Sequence, residues 1–146
     1  MFPSTTTNIL SRQSKMIFVD SSAFFAILSA GDINHQRASL MWRRLLEDDR
    51  ILLTNNYVVV ESMAIAQKRL GLEKVRDFQE KILPFLKIEW IDEEQHNTAV
   101  EFVLRINRRR LSLVDCSAFQ TMNSLGIDTA FTFDEHFREQ GFNVIP

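Results

Sequence analysis

The sequence alternates short apolar runs with longer segments whose apolar residues recur at the spacing of one helix face. A short run that is apolar throughout is typical of a strand in a parallel sheet covered by helices on both sides. The pattern therefore predicts an α/β fold, a three-layer α/β/α domain with a central parallel sheet of four to five strands. The expected strands are residues 16–19, 51–54, 86–91, 129–132 and 142–145.

Helices are expected between these runs, bounded by capping residues, glycines and proline. The helix that follows Asn55 and Asn56 is apolar nearly all round, which predicts that it is buried. Gly71 and Gly126 are expected to end helices, and Pro84 to stop the one before it. The other expected helical segments are residues 23–30, 36–49, 73–83, 112–125, 135–140 and one opening at Asp92.

The length of 146 residues fits one domain of ordinary size. Residues 1–15 are mostly polar without a period, so they are interpreted as a flexible N-terminal tail, and residues 16–146 as the folded domain. Hydrophobic residues make up 45% of the chain and charged residues 25%, which excludes a wholly disordered protein.

The net charge of -2 gives no global positive field, so any contact with nucleic acid must be a local patch. That weakens the hypothesis of a pure nucleic-acid-binding module. The single Cys116 cannot form an internal disulfide, and no signal-like leader opens the chain, so a cytoplasmic protein is expected. No apolar run reaches the ~20 residues of a membrane-spanning helix, so no membrane partner is expected.

Two aspartates directly follow expected strands. Asp20 comes after the first strand and Asp134 after the fourth. Ligands of open parallel sheets bind at the carboxyl ends of the strands, so the two carboxylates are expected at the functional edge. Each could equally be an ordinary helix N-cap. Two acids at the same edge are more telling than either alone.

Two further acids lie in helices. Glu61 is surrounded by apolar residues, where a lone ionised carboxylate costs several kcal/mol unless it is paired or bound to a metal. The alternative is a buried salt bridge to Lys68 or Arg69. Asp115 lies in the first turn of its helix, and its alternative is a favourable charge near a helix N-terminus.

Four converging carboxylates would repel one another and raise some of their pKa values unless a cation neutralised them. Magnesium and manganese prefer oxygen ligands and retain waters, so this set favours them over zinc. The three histidines, His35, His96 and His136, lack the spacing of a ligand cluster and are expected to be surface or half-buried residues.

Four motifs contain these acids: MIFVDSSAF, VVVESMA, LSLVDCSAF and TFTFDEHF. Their order and spacing resemble the PIN-domain nucleases, and within them the VapC-like toxins of toxin–antitoxin pairs, from Met16 to the C-terminus. The resemblance implies an acidic quartet at Asp20, Glu61, Asp115 and Asp134. It also implies supporting hydroxyls, at Ser22 and Thr132. Some relatives have a further acid one turn after the third, where this chain has Phe119, which puts a second metal ion in doubt.

The resemblance implies an endoribonuclease that uses Mg²⁺ or Mn²⁺, acts as the toxin of a toxin–antitoxin pair, forms a homodimer and binds a small antitoxin protein. Asp20 and Asp115 would be the main metal ligands, Glu61 would orient or deprotonate the attacking water, and Asp134 would hold the ion or a second water. Phe24 and Phe25 are candidates for an antitoxin groove or for the core. The candidate RNA-binding residues, each alternatively solvated surface, are Arg108, Arg109, Arg110, Lys68 and Arg69.

Two other hypotheses compete with a ribonuclease. A phosphatase or phospho-acceptor domain also places acids at strand ends, but it would need a pair such as DxD or DD where this chain has DSS. The second alternative is a catalytically inactive PIN-like module that binds RNA or protein. The presence of all four acids ranks it below the enzyme, and the RNA target stays open.

Overall fold

The computed structural model of the chain describes residues 15–146, and it contains a five-stranded parallel sheet in the order β3-β2-β1-β4-β5. The α/β prediction is therefore confirmed. The predicted tail lies, except for Lys15, outside the described residues. The strands are β1 (Met16–Val19), β2 (Ile51–Asn55), β3 (Lys87–Glu89), β4 (Thr129–Phe131) and β5 (Asn143–Ile145).

Strand β1 is the centre of the sheet and of the core. Its residues Ile17, Phe18 and Val19 are fully buried, as expected for an apolar run covered on both faces. It pairs with β2 on one side and with β4 on the other, where Phe18 lies opposite Ala130. Because β1 and β4 are parallel neighbours, the residues that follow them emerge side by side at one edge of the sheet.

The helices lie on the sheet and pack against one another in pairs, α1 on α2 and α3, and α5 on α6. Asp20 caps the first helix and Asn55 the third, the latter by accepting a 2.9 Å hydrogen bond from the Val58 amide. The helices are α1 (Ser21–Leu28), α2 (His35–Glu47), α3 (Asn56–Leu70), α4 (Leu72–Asp77), α5 (Glu93–Ile106), α6 (Leu113–Leu125) and α7 (His136–Glu139). No helix among residues 15–146 is both long enough and apolar enough to cross a bilayer.

Two details of the predicted helices are wrong. Helix α3 is not buried all round: it packs one face against α1, β2 and α6, and Val60 on another face is 66% exposed. The expected helix over residues 73–83 consists of α4 followed by a π-helical turn, Phe78–Ile82, and a 3-10 turn, Leu83–Phe85. Pro84 fits inside that 3-10 turn because the first residues of a helical turn need no amide hydrogen.

Candidate active site

A cleft of about 420 Å³ opens at the carboxyl-terminal edge of the sheet, and all four predicted acids line it. Asp20 enters it from the end of β1 and Asp134 from the segment after β4. Glu61 projects from α3, and Asp115 from the first turn of α6. Residues that are up to 114 positions apart in the chain are thus brought into one cavity.

Asp20 forms the buried end of the cleft, with only 3% of its surface exposed. Its Oδ2 atom accepts hydrogen bonds of 2.9 Å from Ser22 Oγ and 2.9 Å from Thr132 Oγ1, and a longer one of 3.4 Å from the Ser22 amide. Within the described part of the chain, no side chain donates a hydrogen bond to Oδ1. The hydroxyls therefore fix one oxygen of the carboxylate, and no described side chain competes with a ligand for the other.

The two hydroxyls connect Asp20 to the segment that follows β4. Ser22 Oγ accepts a 2.9 Å hydrogen bond from the Phe133 amide, and Thr132 Oγ1 accepts one of 3.0 Å from the Asp134 amide. The two hydroxyl oxygens also lie 3.1 Å apart, and each is 2.9 Å from Asp20 Oδ2. Because each hydroxyl can direct its single hydrogen to the carboxylate, each can relay a backbone N–H dipole to it. This hydrogen-bonded chain favours the ionised form of Asp20 and sets its position relative to Asp134.

Burial raises the pKa of Asp20 above its ordinary value, and the hydrogen bonds from Ser22 and Thr132 lower it in part. Burial also raises the pKa of Glu61 to about 7, with the charges of Asp20 and Asp115 adding to the effect. The pKa of Asp115 is raised by burial too, against the hydrogen bonds from Ser112. The carboxylates therefore disfavour one another's ionisation, which a bound cation would reverse.

Glu61 is half-buried, and no basic side chain among residues 15–146 forms an ion pair with it. The predicted alternative, a salt bridge to Lys68 or Arg69, is therefore absent from the described structure. Arg69 does line the cleft, but its guanidinium lies over the ring of Phe25, 4.5 Å from the ring centroid. Glu61 thus faces other carboxylates without a neutralising partner among the described side chains.

Asp115 has a structural contact as well as a place in the cleft. Its amide donates to Ser112 Oγ and its Oδ2 accepts from the Ser112 amide, both at 3.0 Å, which forms a capping box at the start of α6. Asp134 is held similarly, since its Oδ1 accepts a 2.9 Å hydrogen bond from the His136 amide. Asp115 therefore does have the structural role at a helix N-terminus that was the alternative to a functional role. The same carboxylate also lines the cleft, so the two roles are compatible.

The donor set of the cleft consists of carboxylate oxygens, without thiol or imidazole ligands, and this fits a hard divalent cation. Among the described residues, no three acidic, histidine or cysteine side chains are already placed to hold one ion. A cation bound here would therefore use few direct carboxylate ligands and keep several waters, as Mg²⁺ commonly does. The Oδ1 atom of Asp20, to which no described side chain donates a hydrogen bond, is the best-supported direct ligand.

The predicted RNA-binding residues do not all lie at the cleft. Arg69 lines it, whereas Arg108 forms a 3.5 Å ion pair with Glu139. The other three, Lys68, Arg109 and Arg110, are exposed and outside the lining of the cleft. The two phenylalanines that were candidates for an antitoxin groove have different positions. Phe24 packs in the core, and Phe25 lines the cleft.

Several lining residues escaped the sequence interpretation. Asp32 and Asn34 lie in the cleft wall, and the Phe133 amide takes part in holding Ser22. Asp32 follows Gly31 in a stretch that the sequence marks only as a break between helices, so no periodic signal identified it. Phe119 stands where some relatives have another acid, and it is core: it packs edge-on against Phe137 at 5.0 Å.

Comparison with known proteins gives concordant results. The model of the PIN domain family matches residues 17–143. The 23S rRNA-specific endonuclease VapC20 of Mycobacterium tuberculosis is 30% identical over 128 residues, which cover 87% of this chain and 95% of the relative. The crystal structure of VapC20, a sarcin–ricin-loop-cleaving toxin, superposes with a TM-score of 0.79 at 29% identity, over 89% of this chain and 99% of that one.

The structure of FitAcB from Neisseria gonorrhoeae superposes with a TM-score of 0.65 at 17% identity. The match covers 90% of this chain and 97% of that one. At this identity the likeness concerns the fold alone, and it agrees with the parallel five-stranded sheet.

Proposed function

The chain belongs to the PIN-domain family, and on that premise we propose that it is a divalent-metal-dependent endoribonuclease and the toxin of a toxin–antitoxin pair. Residues 16–146 would form the nuclease domain. One observation carries the proposal: Asp20, Glu61, Asp115 and Asp134 line a single cleft, with the least exposed of them fixed by two hydroxyl relays. A purely structural cluster would not bury a carboxylate among other carboxylates.

We infer different roles for the four carboxylates of the cleft. Asp20 and Asp115 would hold Mg²⁺ or Mn²⁺, and Asp134 would hold the ion or an ordered water. When bound, the ion would lower the pKa of water and offset the charge that develops on the phosphorus oxygens. Glu61 would accept a proton from the attacking water. Burial and the neighbouring carboxylates raise its pKa to about 7 in the absence of a cation, and a bound cation would lower it and favour the ionised form that a general base needs.

The substrate is proposed to be RNA with an accessible strand, and the sarcin–ricin loop of 23S rRNA is the first to test because the relative VapC20 is named for that RNA. Arg69 in the cleft is the primary phosphate-binding candidate, and the exposed Lys68 and Arg108 to Arg110 are secondary ones. A small antitoxin protein, a homodimer and a cytoplasmic location complete the proposal.

The proposal is tested with purified protein and an RNA hairpin that copies the sarcin–ricin loop, together with bulk ribosomal RNA. Cleavage is expected with Mn²⁺ or Mg²⁺ and not with a chelator. The Asp20→Asn variant should lose more than about 100-fold in rate, because even second-shell changes at metal sites cost 10- to 100-fold. The matched control is Asp48→Asn, an exposed aspartate outside the cleft that should retain full activity.

Other outcomes point elsewhere. Cleavage that survives the chelator or the Asp20→Asn change would reject the metal mechanism. RNA binding without turnover in either metal would instead identify an inactive PIN-like binding module. Copurification of a small protein from the native host, and its effect on cleavage, tests the antitoxin part separately.

A further inference from the structure

A second cavity, of about 190 Å³, adjoins the carboxylate cleft and is named here the side chamber. Asn34, Phe133 and Asp134 line both cavities, so the chamber continues directly from the place where the acids converge. The charged side chains that line only the chamber are those of Arg37, Glu135 and Arg138, and Pro146, the last residue of the chain, lines it too. A strand of nucleic acid bound in the cleft could therefore extend into the chamber.

The two arginines of the chamber differ in whether an acidic side chain pairs with them. Arg138 forms two hydrogen bonds, of 2.9 and 3.0 Å, with the carboxylate of Glu135, and its charge is already balanced. Arg37 makes no ion pair within residues 15–146, and its guanidinium lies 5.7 Å from the centroid of the Phe133 ring. The aromatic face orients the guanidinium without occupying its N–H donors.

A second arginine–aromatic pair lies in the carboxylate cleft itself. Arg69 lies over Phe25, and no carboxylate in the described part of the chain pairs with it either. The cleft and the adjoining chamber thus each contain an arginine held against an aromatic ring, Arg69 with Phe25 and Arg37 with Phe133. A polyanion that approaches an acidic centre needs local positive charge, and in a chain of net charge -2 these two guanidinium groups can supply it.

We propose that the side chamber is a subsite for the nucleotide next to the scissile bond, with the guanidinium of Arg37 binding that nucleotide's phosphate. The inference rests on the proposed ribonuclease function and extends it to a specific substrate contact. Arginine suits this role because its planar N–H fork matches two phosphate oxygens at once. Arg37 binds the strand in the side chamber, and Arg69 binds it in the cleft.

Binding of a short random-sequence RNA is measured in the Asp20→Asn background, which prevents turnover, over a range of salt concentrations. Arg37→Gln should weaken binding roughly tenfold. It should also reduce the slope of log K against log salt by about 0.7, the contribution of one single-strand phosphate. The matched control is the double variant Glu135→Gln/Arg138→Gln, which removes the other arginine of the chamber together with the carboxylate that neutralises it, and it should leave the slope unchanged. Arg37→Lys should restore the slope because the charge is kept.

Cleavage by otherwise wild-type protein gives a second readout. Arg37→Gln should raise KM and leave kcat nearly unchanged, as expected when a contact is equally strong in the ground and transition states. Equal salt slopes for Arg37→Gln and for the control variant, with wild-type cleavage intact, would overturn the subsite and leave the nuclease proposal standing. A reduced slope for Arg37→Gln in a protein that cleaves no RNA would show only that Arg37 contacts an RNA phosphate, and it would overturn both the nuclease proposal and the position of the subsite beside a scissile bond.

Discussion

The cleft has two kinds of carboxylate, one fixed by the fold and one not. At its floor, defined by Asp20, Ser22 and Thr132, the carboxylate is buried and receives both hydroxyls. At its wall, Glu61 on α3 is half-buried and faces the charges of Asp20 and Asp115, with the Ser21 hydroxyl offsetting only part of their effect on its pKa. The floor therefore holds a carboxylate in a defined position. The wall holds a carboxylate whose protonation state changes near neutral pH when no cation is bound.

This difference assigns distinct properties to the two regions. The fixed carboxylate of Asp20 can define where a cation binds. Its position depends on β1 and on the segment after β4, and β1 and β4 are adjacent in the sheet. The protonation state of Glu61 is set mainly by burial and then by the charges of Asp20 and Asp115. Changes at the floor should therefore act first on metal binding, and changes at the wall on pH dependence.

The largest expected effect is the loss of metal-dependent stabilisation in Asp20→Asn. Saturation of the wild type with Mn²⁺ at about 100 times Kd should add about 2.7 kcal/mol to the free energy of unfolding, measured as an increase in Tm. The variant should show little increase. Without metal at neutral pH it should be at least as stable as the wild type, because burial disfavours the ionised aspartate that asparagine replaces.

Glu61→Gln is the informative comparison for that experiment, since it removes a carboxylate from the wall and should keep part of the metal-induced increase in Tm. Equal increases in the wild type and in Asp20→Asn would show that the floor does not define the metal site. Asp48→Asn again serves as the exposed control.

A smaller effect is expected from the relay itself. Thr132→Val keeps the shape of a side chain that is 1% exposed, but it removes the hydroxyl between the Asp134 amide and Asp20. Second-shell changes of this kind lower metal affinity or activity 10- to 100-fold. The unpaired amide should also cost about 1–3 kcal/mol of stability. Titration of Mn²⁺ followed by Tm, together with cleavage rates, measures both effects.

Thr54→Val is the matched control for that variant. Thr54 is also fully buried, and its hydroxyl donates a 2.9 Å hydrogen bond to the Val19 carbonyl rather than to a carboxylate. It should lose stability without a comparable loss of metal affinity. If both valine variants bound Mn²⁺ alike, the Thr132 hydroxyl would be a structural contact and not part of the metal site.

The fold could be predicted from the sequence because each strand coincides with a short apolar run in the chain. The run MIFV is buried on both faces, and parallel connectivity then places Asp20 and Asp134 at the same edge. The burial of α3 was overestimated because its many apolar residues include the exposed Val60, and periodicity alone does not show which face a neighbour covers.

The candidate site was only partly predictable. The apolar sequence around Glu61 predicted a buried charge there, yet the most buried acid is Asp20. The surroundings of Asp20 depend on residues more than 100 positions away in the chain, so no local pattern indicates its burial. The hydroxyls of Ser22 and Thr132 were expected only from the family resemblance. The pairing of Arg37 with Phe133 could not be foreseen, because it joins a helix to a loop that are distant in sequence and carries no motif of its own.

The smallest expected effect is the pH dependence set by Glu61. Its folded pKa of about 7 lies above its ordinary value of 4.5, so between these values the native state binds more protons than the unfolded state. The stability contribution is therefore largest below pH 4.5, and it falls as pH rises toward 7. In chelator, Tm should decline less across this window in Glu61→Gln than in the wild type, and partial exposure keeps the difference small.

Activity should change in the opposite direction, because a general base must be ionised to accept a proton. With metal saturating, kcat of the wild type should rise with pH through the pKa of Glu61, which the bound cation lowers below its metal-free value. Glu61→Gln should lose that rise along with most of the rate, whereas Glu101→Gln, at an exposed position on α5, should match the wild type. A rise that survives in Glu61→Gln would assign the base elsewhere. Glu61 would then have only an electrostatic role, and the wall of the cleft would differ from the floor in exposure alone.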